Sequence, residues 1–548
     1  MVVYLCRFKT YLLNINVKIE FIFKIKIVYI YMTKHNNNTM EYIISKYLES
    51  KPNDNSNYEK ELEVRFNTRK FDYIIQKMDF DRVAQKLLSM GFVSNDLNGI
   101  FMLRVSSEFD NHNKNLSNIR SEILGKDNIQ HVCKTNQLPN NRLVRYQKKI
   151  QVADKGDKIL PYNSNDFQFR LTFNLEENLN FDNPVIKNQY VEKFESLKKT
   201  FRYINRVEFT HPDLPIKCHL STIKSSKKNK DGNYVYERNI QNTNIFNNPE
   251  SYEIEIEIDN SKIDETNDMN KIIFQSLQST IKYILCGIQN TKYPVPYKIL
   301  YGIEKQYKQV ILQSDISNVK LQPRQFIGPG SITLQRQHVQ PLDKTSNEVN
   351  IRKNYCVTEK ADGERRLLYI SDNGHIFAIT TNMNIISTGS KTKNNKIFNS
   401  LADCEYIAKN KYDEIIDLYA LFDIYFINKK DKRDNPFINK EDANEGRHTI
   451  LAKWYKLIKP ESIITGKPSP IRIELKHFEY SDNIFKDCKH ILQKISDNLF
   501  EYETDGLVFT PTDLHLPKIN YKKTWDKSFK WKPPKQNTID FLVKTNDE

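Results

Sequence analysis

Residues 252–259, YEIEIEID, set glutamate and isoleucine in strict alternation. Successive side chains of a β-strand point to opposite faces, so Glu253, Glu255 and Glu257 share one face and Ile254, Ile256 and Ile258 the other. Stacked carboxylates repel one another. If the isoleucine face packs on a core, the glutamate face must either meet water or surround a cation, and hard divalent ions prefer several carboxylate oxygens.

A second strand of this kind lies far upstream. In ELEVRF, Glu61, Glu63 and Arg65 share one face while Leu62, Val64 and Phe66 share the other. Further alternating or β-rich runs lie between the two: GIFMLRVSSE, RLVRYQKKI, FQFRLTFNL, FRYINRVEFT and NYVYERNI, separated by Asn, Asp, Gly and Pro. This pattern predicts a many-stranded antiparallel domain. EYIISKYLE reads as a short helix before it, and NKIIFQSLQSTIKYILCGIQ has the apolar spacing of a closing helix, after which KYPVPYKILYGIE reads as an interdomain passage. Basic residues recur at strand spacing: Arg145, Lys148, Lys149, Arg170, Lys199, Arg202 and Arg206. A closed barrel with a carboxylate-held metal on one wall and Lys or Arg on the others can grip a triphosphate and polarise its terminal phosphorus toward water. Taken singly, each strand reads more simply as a half-exposed surface strand with a polar outer face. Two paired-glutamate strands bracketing one β-rich domain shift the balance toward the barrel.

ELEVRF and YEIEIEID resemble the glutamate motifs of the triphosphate tunnel metalloenzymes, in particular the metal-dependent RNA triphosphatases, over roughly residues 55–260. The resemblance implies metal ligation by Glu61, Glu63, Glu255 and Glu257, with Glu253 as a further member. It also implies triphosphate contacts, for which strand pattern selects Arg65, Lys148, Arg170, Arg202 and Arg206.

A second constellation begins where the strand NYCVTE runs into KADGER, which contains Lys360, Asp362, Gly363 and Arg365. A lysine amine attacks phosphorus only when unprotonated, so it needs a pocket where burial and nearby cations lower its pKa. Gly363 permits the tight turn that presents the lysine, and Arg365 can hold a ribose or its neighbours. Alone, KxDG is a short surface-turn pattern that arises by chance. Downstream, however, come LADCEYI with Glu405, LFDIYFI with Asp423, ETDGLVFTP with Asp505 and Gly506, and KSFKWKPP with Lys530 and Lys532. In order and spacing these resemble the nucleotidyl motifs shared by capping guanylyltransferases and ATP-dependent nucleic-acid ligases. The resemblance implies a lysyl-nucleotide on Lys360, acidic contributions from Glu405, Asp423 and Asp505, and α-phosphate contacts from Lys530 and Lys532.

PRQFIGPGSITLQ and KWKPPKQNTIDFLV are similar to segments of the capping enzymes of large cytoplasmic DNA viruses. The combined resemblance implies an α+β chain: a weakly structured extension over 1–39, an antiparallel β tunnel with RNA 5′-triphosphatase chemistry over 40–305, and a covalent guanylyltransferase domain over 306–548. It implies GTP as substrate, Mg²⁺ or Mn²⁺ at both sites, 5′-triphosphate and 5′-diphosphate RNA as partners, and a cytoplasmic setting in the host cell or virion. The family's closing OB-fold with motif VI has no counterpart after Lys532. The expectation is therefore that this domain is lost, comes from a separate polypeptide, or was cut off by a frameshift or truncation; a cap methyltransferase would likewise be separate, with no S-adenosylmethionine bound. Two rivals stay open: an ATP-dependent ligase using the same lysine, and a non-catalytic RNA-binding subunit.

Composition narrows little beyond this. A net charge of +15 over 548 residues favours a polyanionic partner. The seven cysteines form no CxxC pair, which argues against a zinc site and a disulfide scaffold. Lys9, Lys18, Lys24 and Lys26 interrupt the apolar N-terminal stretch, so neither a membrane anchor nor a secretory signal is expected there, and Met32 or Met40 reads as the natural start.

Overall fold

The computed structural model describes residues 39–50, 58–66, 73–108, 116–139, 143–154, 156–264, 268–312, 322–341, 349–518, 524–537 and 541–542. The expected N-terminal extension thus lies outside the described residues except for Thr39. The chain forms two compact units that divide between Tyr297 and Lys298.

The first unit is built on eight antiparallel strands: β1 (Tyr58–Phe66), β2 (Ile100–Glu108), β3 (Leu116–Leu124), β4 (Val144–Gln151), β5 (Phe169–Leu179), β6 (Lys199–Thr210), β7 (Ile216–Ser225) and β8 (Ser251–Ile258). Their order is β1-β8-β7-β6-β2-β3-β4-β5, and β5 pairs back onto β1, which closes the barrel. Closure leaves no free edge, so every stave presents one face outward and one into the lumen.

Outward faces are apolar and covered. Helix α1 (Met40–Glu49) buries Met40, Ile43, Ile44 and Tyr47, the spacing of one helical face. With α2 (Lys77–Ser89) and α4 (Met269–Ile288) it packs over Leu62, Val64, Leu171, Leu220, Ile254 and Ile256. Across the barrel, α3 (Lys126–Thr135) covers Leu103, Val105, Ile123 and Phe201. Each fully buried Ile or Leu contributes roughly 1.5–3 kcal/mol. That gain decides which way β8 faces: isoleucines out, glutamates in.

Two strands escaped the sequence pattern. In β3 the apolar residues Leu116, Ile119 and Ile123 stand at helical spacings of three and four, and β7 mixes Lys, His, Ser and Thr among its apolar positions. NYVYERNI, expected as a strand, forms only isolated bridges, Lys228 to Tyr234 and Lys199 to Glu237, because no stave offers it a ladder. The stretch read as an interdomain passage is instead helix α5 (Tyr297–Leu312), whose Ile303, Tyr307, Val310 and Ile311 join the core of the second unit. Apolar spacing continues past the Pro-rich segment, so the units divide eight residues before the expected boundary of 305/306.

The second unit places a cleft between two sheets. The smaller runs β9 (Gly330–Thr333), β18 (Thr524–Trp531), β17 (Thr504–Pro511), β10 (Tyr355–Ala361). The larger is built around β11 (Glu364–Ile370), β12 (His375–Thr380), β13 (Ile385–Lys391), β14 (Ser400–Lys409) and β15 (Ile415–Ile427), with β16 (Arg472–Leu475) parallel to β15. Helix α6 (Arg447–Ile458) packs Leu451 and Trp454 on the larger sheet, and α7 (Ile484–Ser496) packs Ile484 and Ile491 on the smaller. Among the described residues no helix is long and apolar enough to cross a membrane.

Gly287 near the end of α4 touches α2 so closely that a Cβ there would lie 2.7 Å from Val83 Cα. Gly287→Ala is expected to destabilise the first unit by about 1–3 kcal/mol, as overpacking does. Gly302 in α5 faces open space, so Gly302→Ala should stabilise by about 0.5–1 kcal/mol through helix propensity. Calorimetric unfolding of the two variants checks both signs.

Candidate functional sites

In the first unit, an ion-pair circuit runs round the lumen. Arg104 Nη2 lies 2.7 Å from Glu122, and Arg120 spans Glu122 at 3.3 Å and Glu176 at 2.8 Å. Lys149 Nζ sits 2.5 Å from Glu61 and 2.8 Å from Glu63. Arg65 Nε then bridges Glu63 at 2.8 Å and Glu255 at 3.0 Å. Arg206 reaches Glu255 at 2.9 Å and donates to Ser221 at 3.1 Å. All eight staves contribute. Alternation explains the convergence: each of these residues occupies the inward parity of its strand, and the cross-strand register sets Glu63 against Glu257 and Arg65 against Glu255 and Arg170.

The expected ligands separate into two groups. Burial raises the carboxyl pKa of Glu61 and of Glu257, and the adjacent Glu63 adds to both. Burial works to raise Glu255 as well, but Arg65 and Arg206 outweigh it and hold that carboxyl well below its ordinary range. Glu253 is paired with Arg202 at 2.8 Å. A cation would therefore relieve most strain at Glu61, Glu63 and Glu257, whose hard oxygen donors suit a divalent ion. Among the described residues no three acidic, His or Cys side chains already converge as a ligand set, since Lys149 and Arg65 occupy the carboxylate oxygens. The fit is thus a matter of donor type and charge.

On the basic side, Arg65, Arg170, Arg202 and Arg206 take the inward parity of their strands. Buried Nε atoms of Arg170 and Arg202 have no hydrogen-bond partner, so each offers a donor to an anion. Lys148 is a correction. It is one residue out of phase, on the outer face 3.7 Å from Glu177, and its neighbour Lys149 is the lysine inside. A KK pair read without the register gives no means of choosing between them. Arg104, Arg120, Glu122 and Glu176 were missed because β3 was unrecognised and the others sit in strands whose inward parity was not assigned.

In the second unit, Lys360 stands at the end of β10 in a cleft of about 380 Å³. The cleft is also lined by Arg365, Glu405, Asp423, Lys476 and Lys530, with Phe422, Phe437, Phe478 and Trp525 supplying apolar walls. Lys360 Nζ donates to both Asp505 oxygens, at 2.6 and 2.9 Å, and Lys532 Nζ reaches the same carboxylate at 2.8 Å. A register shift in the β10–β17 ladder pairs Lys360 with Gly506 and Ala361 with Thr504, leaving Asp505 as the extra residue of a bulge. Such bulges re-aim side chains, and this one turns Asp505 toward the lysine. Burial would raise the Asp505 carboxyl, but hydrogen bonds from Lys360 and Lys532 outweigh it and hold it low. Beside the expected cation Lys532, Lys360 thus meets an anion, Asp505, that the two lysines share.

Other expected residues take different duties. Gly506 has φ +146°, and a Cβ there would collide with the Trp531 carbonyl, so its requirement is close strand packing. At Gly363 the backbone is not left-handed; a Cβ would lie 2.7 Å from the Tyr406 carbonyl oxygen, so close approach rather than turn geometry excludes other residues. Asp362 is exposed on the crossing between the two sheets and is not among the residues lining the cleft. Arg365 is held by the fully buried Asp403, at 2.5 and 3.1 Å, and Tyr425 donates to the same carboxylate. Asp423 is clamped by buried Arg447 through contacts of 2.8 and 3.1 Å. Lys476 spans the Glu359 carboxylate at 3.0 Å and its carbonyl at 2.7 Å, bracing the strand beside Lys360. Asp403 lies within LADCEYI, where the sequence singles out only Glu405, and Arg447 and Lys476 lie outside the quoted motifs, so only their burial as charges marks them out.

Burial pushes Glu405 up to about 7, against the pull of Lys476 and Arg365. A raised carboxyl stabilises the fold fully below its unfolded pKa, and that contribution is lost as pH rises through the folded value. Over the window from about 4.5 to about 7 the wild type should lose at most about 3 kcal/mol relative to Glu405→Gln. Urea unfolding of the two proteins at several pH values measures the difference.

Residues 298–534 match the family model of the mRNA capping enzyme catalytic domain. Over 336 residues the chain is 24% identical to a probable mRNA-capping enzyme of Acanthamoeba polyphaga mimivirus, covering 54% of this chain and 26% of the relative. It is 27% identical over 241 residues to the mRNA-capping enzyme subunit alpha of Schizosaccharomyces pombe, covering 40% of this chain and 54% of that one. The chain thus spans about a quarter to a half of the length of these relatives. A solved structure of the mimivirus capping enzyme triphosphatase aligns with a TM-score of 0.29 and 16% identity, covering 45% of this chain and 94% of that one. The match to the capping enzyme catalytic domain thus begins where the second unit begins and covers most of that unit.

Proposed function

We propose that this protein caps RNA 5′ ends in two steps, hydrolysing the terminal phosphate in the barrel and transferring GMP through Lys360. The observation that carries the reading is the cleft in which Lys360 lies against Asp505, with Lys530 lining it and Lys532 on the same Asp505 carboxylate.

The RNA triphosphate enters the lumen, where Arg65, Lys149, Arg170, Arg202 and Arg206 take its oxygens and Arg170 and Arg202 find acceptors for their unpaired Nε atoms. A divalent ion, Mg²⁺ or Mn²⁺, held by Glu61, Glu63 and Glu257 would supply Lewis-acid polarisation of the terminal phosphoryl group. Water adds to the γ-phosphorus, the bridging P–O bond breaks, and the RNA leaves with a diphosphate end.

For the second step, GTP lies in the cleft with its base among Phe422, Phe437, Phe478 and Trp525. Lys360 must leave Asp505 and lose a proton to solvent before its Nζ can attack. As the Nζ–Pα bond forms, the bond from Pα to the bridging oxygen breaks and pyrophosphate departs. Lys530 and Lys532 neutralise charge developing on the α-phosphate, and Asp505 holds the lysine positioned between cycles. A terminal β-phosphate oxygen of the RNA then attacks the same phosphorus and releases Lys360. This reading places the protein in the cytoplasm of an infected cell or in a virion, and it leaves a separate OB-fold or methyltransferase polypeptide as a partner. The glutamate-lined barrel favours capping over ligation, since a ligase has no use for it.

Incubation with α-labelled GTP or ATP tests the assignment. The wild type should retain guanylate, and Lys360→Ala should lose it by more than about 1,000-fold, as removal of a covalent nucleophile does. Labelling by ATP alone would reject the proposal. Glu63→Ala should abolish γ-phosphate release while the lysyl-GMP persists.

A further inference from the structure

The circuit in the barrel has a consequence for how ligands enter it, resting on the reading above that the lumen takes a cation and a phosphate chain. Lys149 and Arg65 are the inward cations that touch the carboxylates a metal would need: Lys149 lies on Glu61 and Glu63, and Arg65 on Glu63 and Glu255. Those same two side chains face the anion. A cation that takes Glu61 and Glu63 must displace Lys149 and free Arg65 from Glu63, leaving Lys149 with only Glu176 at 3.9 Å and Arg65 with only Glu255 at 3.0 Å. An anion that takes Lys149 and Arg65 strands the glutamates in the same way. Only when both arrive do Glu61, Glu63, Lys149 and Arg65 all recover full charge compensation.

We infer that Lys149 and Arg65 act as exchangeable internal counter-ions, so that a divalent cation and a phosphate-like anion bind the lumen with positive cooperativity, each releasing the partner the other requires. Coupling of this kind is reciprocal. The unpaired Nε atoms of Arg170 and Arg202 add a second signal, because they show donors in place for an anion that the circuit itself does not satisfy.

The inference makes a prediction of unusual sign for a basic residue. Removing Lys149 takes away the internal competitor for Glu61 and Glu63, so Lys149→Met should bind Mn²⁺ more tightly than the wild type when no anion is present, by about 10-fold on the usual scale of coupling. Free Mn²⁺ is read by electron paramagnetic resonance on the full chain. Sulfate, which chelates Mn²⁺ weakly in solution, serves as the anion probe. Saturating sulfate should tighten Mn²⁺ binding to the wild type by a similar factor and have much less effect on the variant. Lys149→Gln repeats the test should the methionine variant fail to fold, and Glu61→Gln with Glu63→Gln identifies lumenal Mn²⁺.

Weaker or unchanged Mn²⁺ binding by Lys149→Met, or competition between sulfate and Mn²⁺ in the wild type, would overturn the exchange while leaving the barrel a metal-dependent phosphatase. Absence of any Mn²⁺ signal sensitive to Glu61 and Glu63 overturns both the exchange and the proposed metal site.

Discussion

Closure of the barrel leaves each stave with two faces and no edge, and the helices packed round the outside bury one of them. With the apolar parity committed outward, the polar parity has nowhere to go but inward. Charge in such a confined space has to be matched at short range, because water cannot screen it. The result is the circuit from Arg104 through Lys149 and Arg65 to Arg206, in which glutamates and basic residues alternate round the wall. Its polarity is also its chemistry: the groups that neutralise one another when the lumen is closed on itself are those that can receive a cation and an anion.

The second unit answers a related problem on a smaller scale. On the proposed function, Lys360 must be held in place when no substrate is bound and given up when one is. Asp505 does the holding, and it does so for Lys360 and Lys532 together. Around them, charged residues of the cleft wall are each tied to a buried partner behind it: Arg365 to Asp403, Asp423 to Arg447, Lys476 to Glu359. These buried pairs make the cleft walls stiff, since breaking any one leaves an uncompensated charge in a poorly solvated place. The two units therefore differ in how they use ion pairs. Those of the barrel line the space a ligand would fill, and most of those round the cleft brace the strands behind it.

Much of the site could be read from the residues themselves. The alternation of ELEVRF and YEIEIEID gave the inward carboxylates, a local pattern set by the two-residue period of a strand, and the ordered motifs gave Lys360, Arg365, Glu405, Asp423 and Lys530 of the cleft lining. What failed did so where local pattern was silent or false. The strand Leu116–Leu124 carries helix-like apolar spacing and is held in the sheet only by its neighbours Ile100–Glu108 and Val144–Gln151. NYVYERNI has strand-like composition and no ladder to join. Gly363 reads as the glycine of a tight turn and Gly506 as part of a motif, yet both answer to backbone from elsewhere in the unit pressing against them.

By itself, then, the sequence determined the periodicities: which residues of each strand travel together, where the helices carry an apolar stripe, and the order in which the chemical groups occur. Tertiary structure alone decided the phase and the partners. Lys148 and Lys149 differ by a single step along the chain, and only the register with Glu176 and Glu177 sends one inward and the other out. Asp505 meets Lys360 only because a bulge inserts one residue into the β10–β17 ladder. Periodicity is a property of consecutive residues, whereas register and bulges arise from pairing between segments far apart in the chain, and that pairing is settled only when the sheet closes.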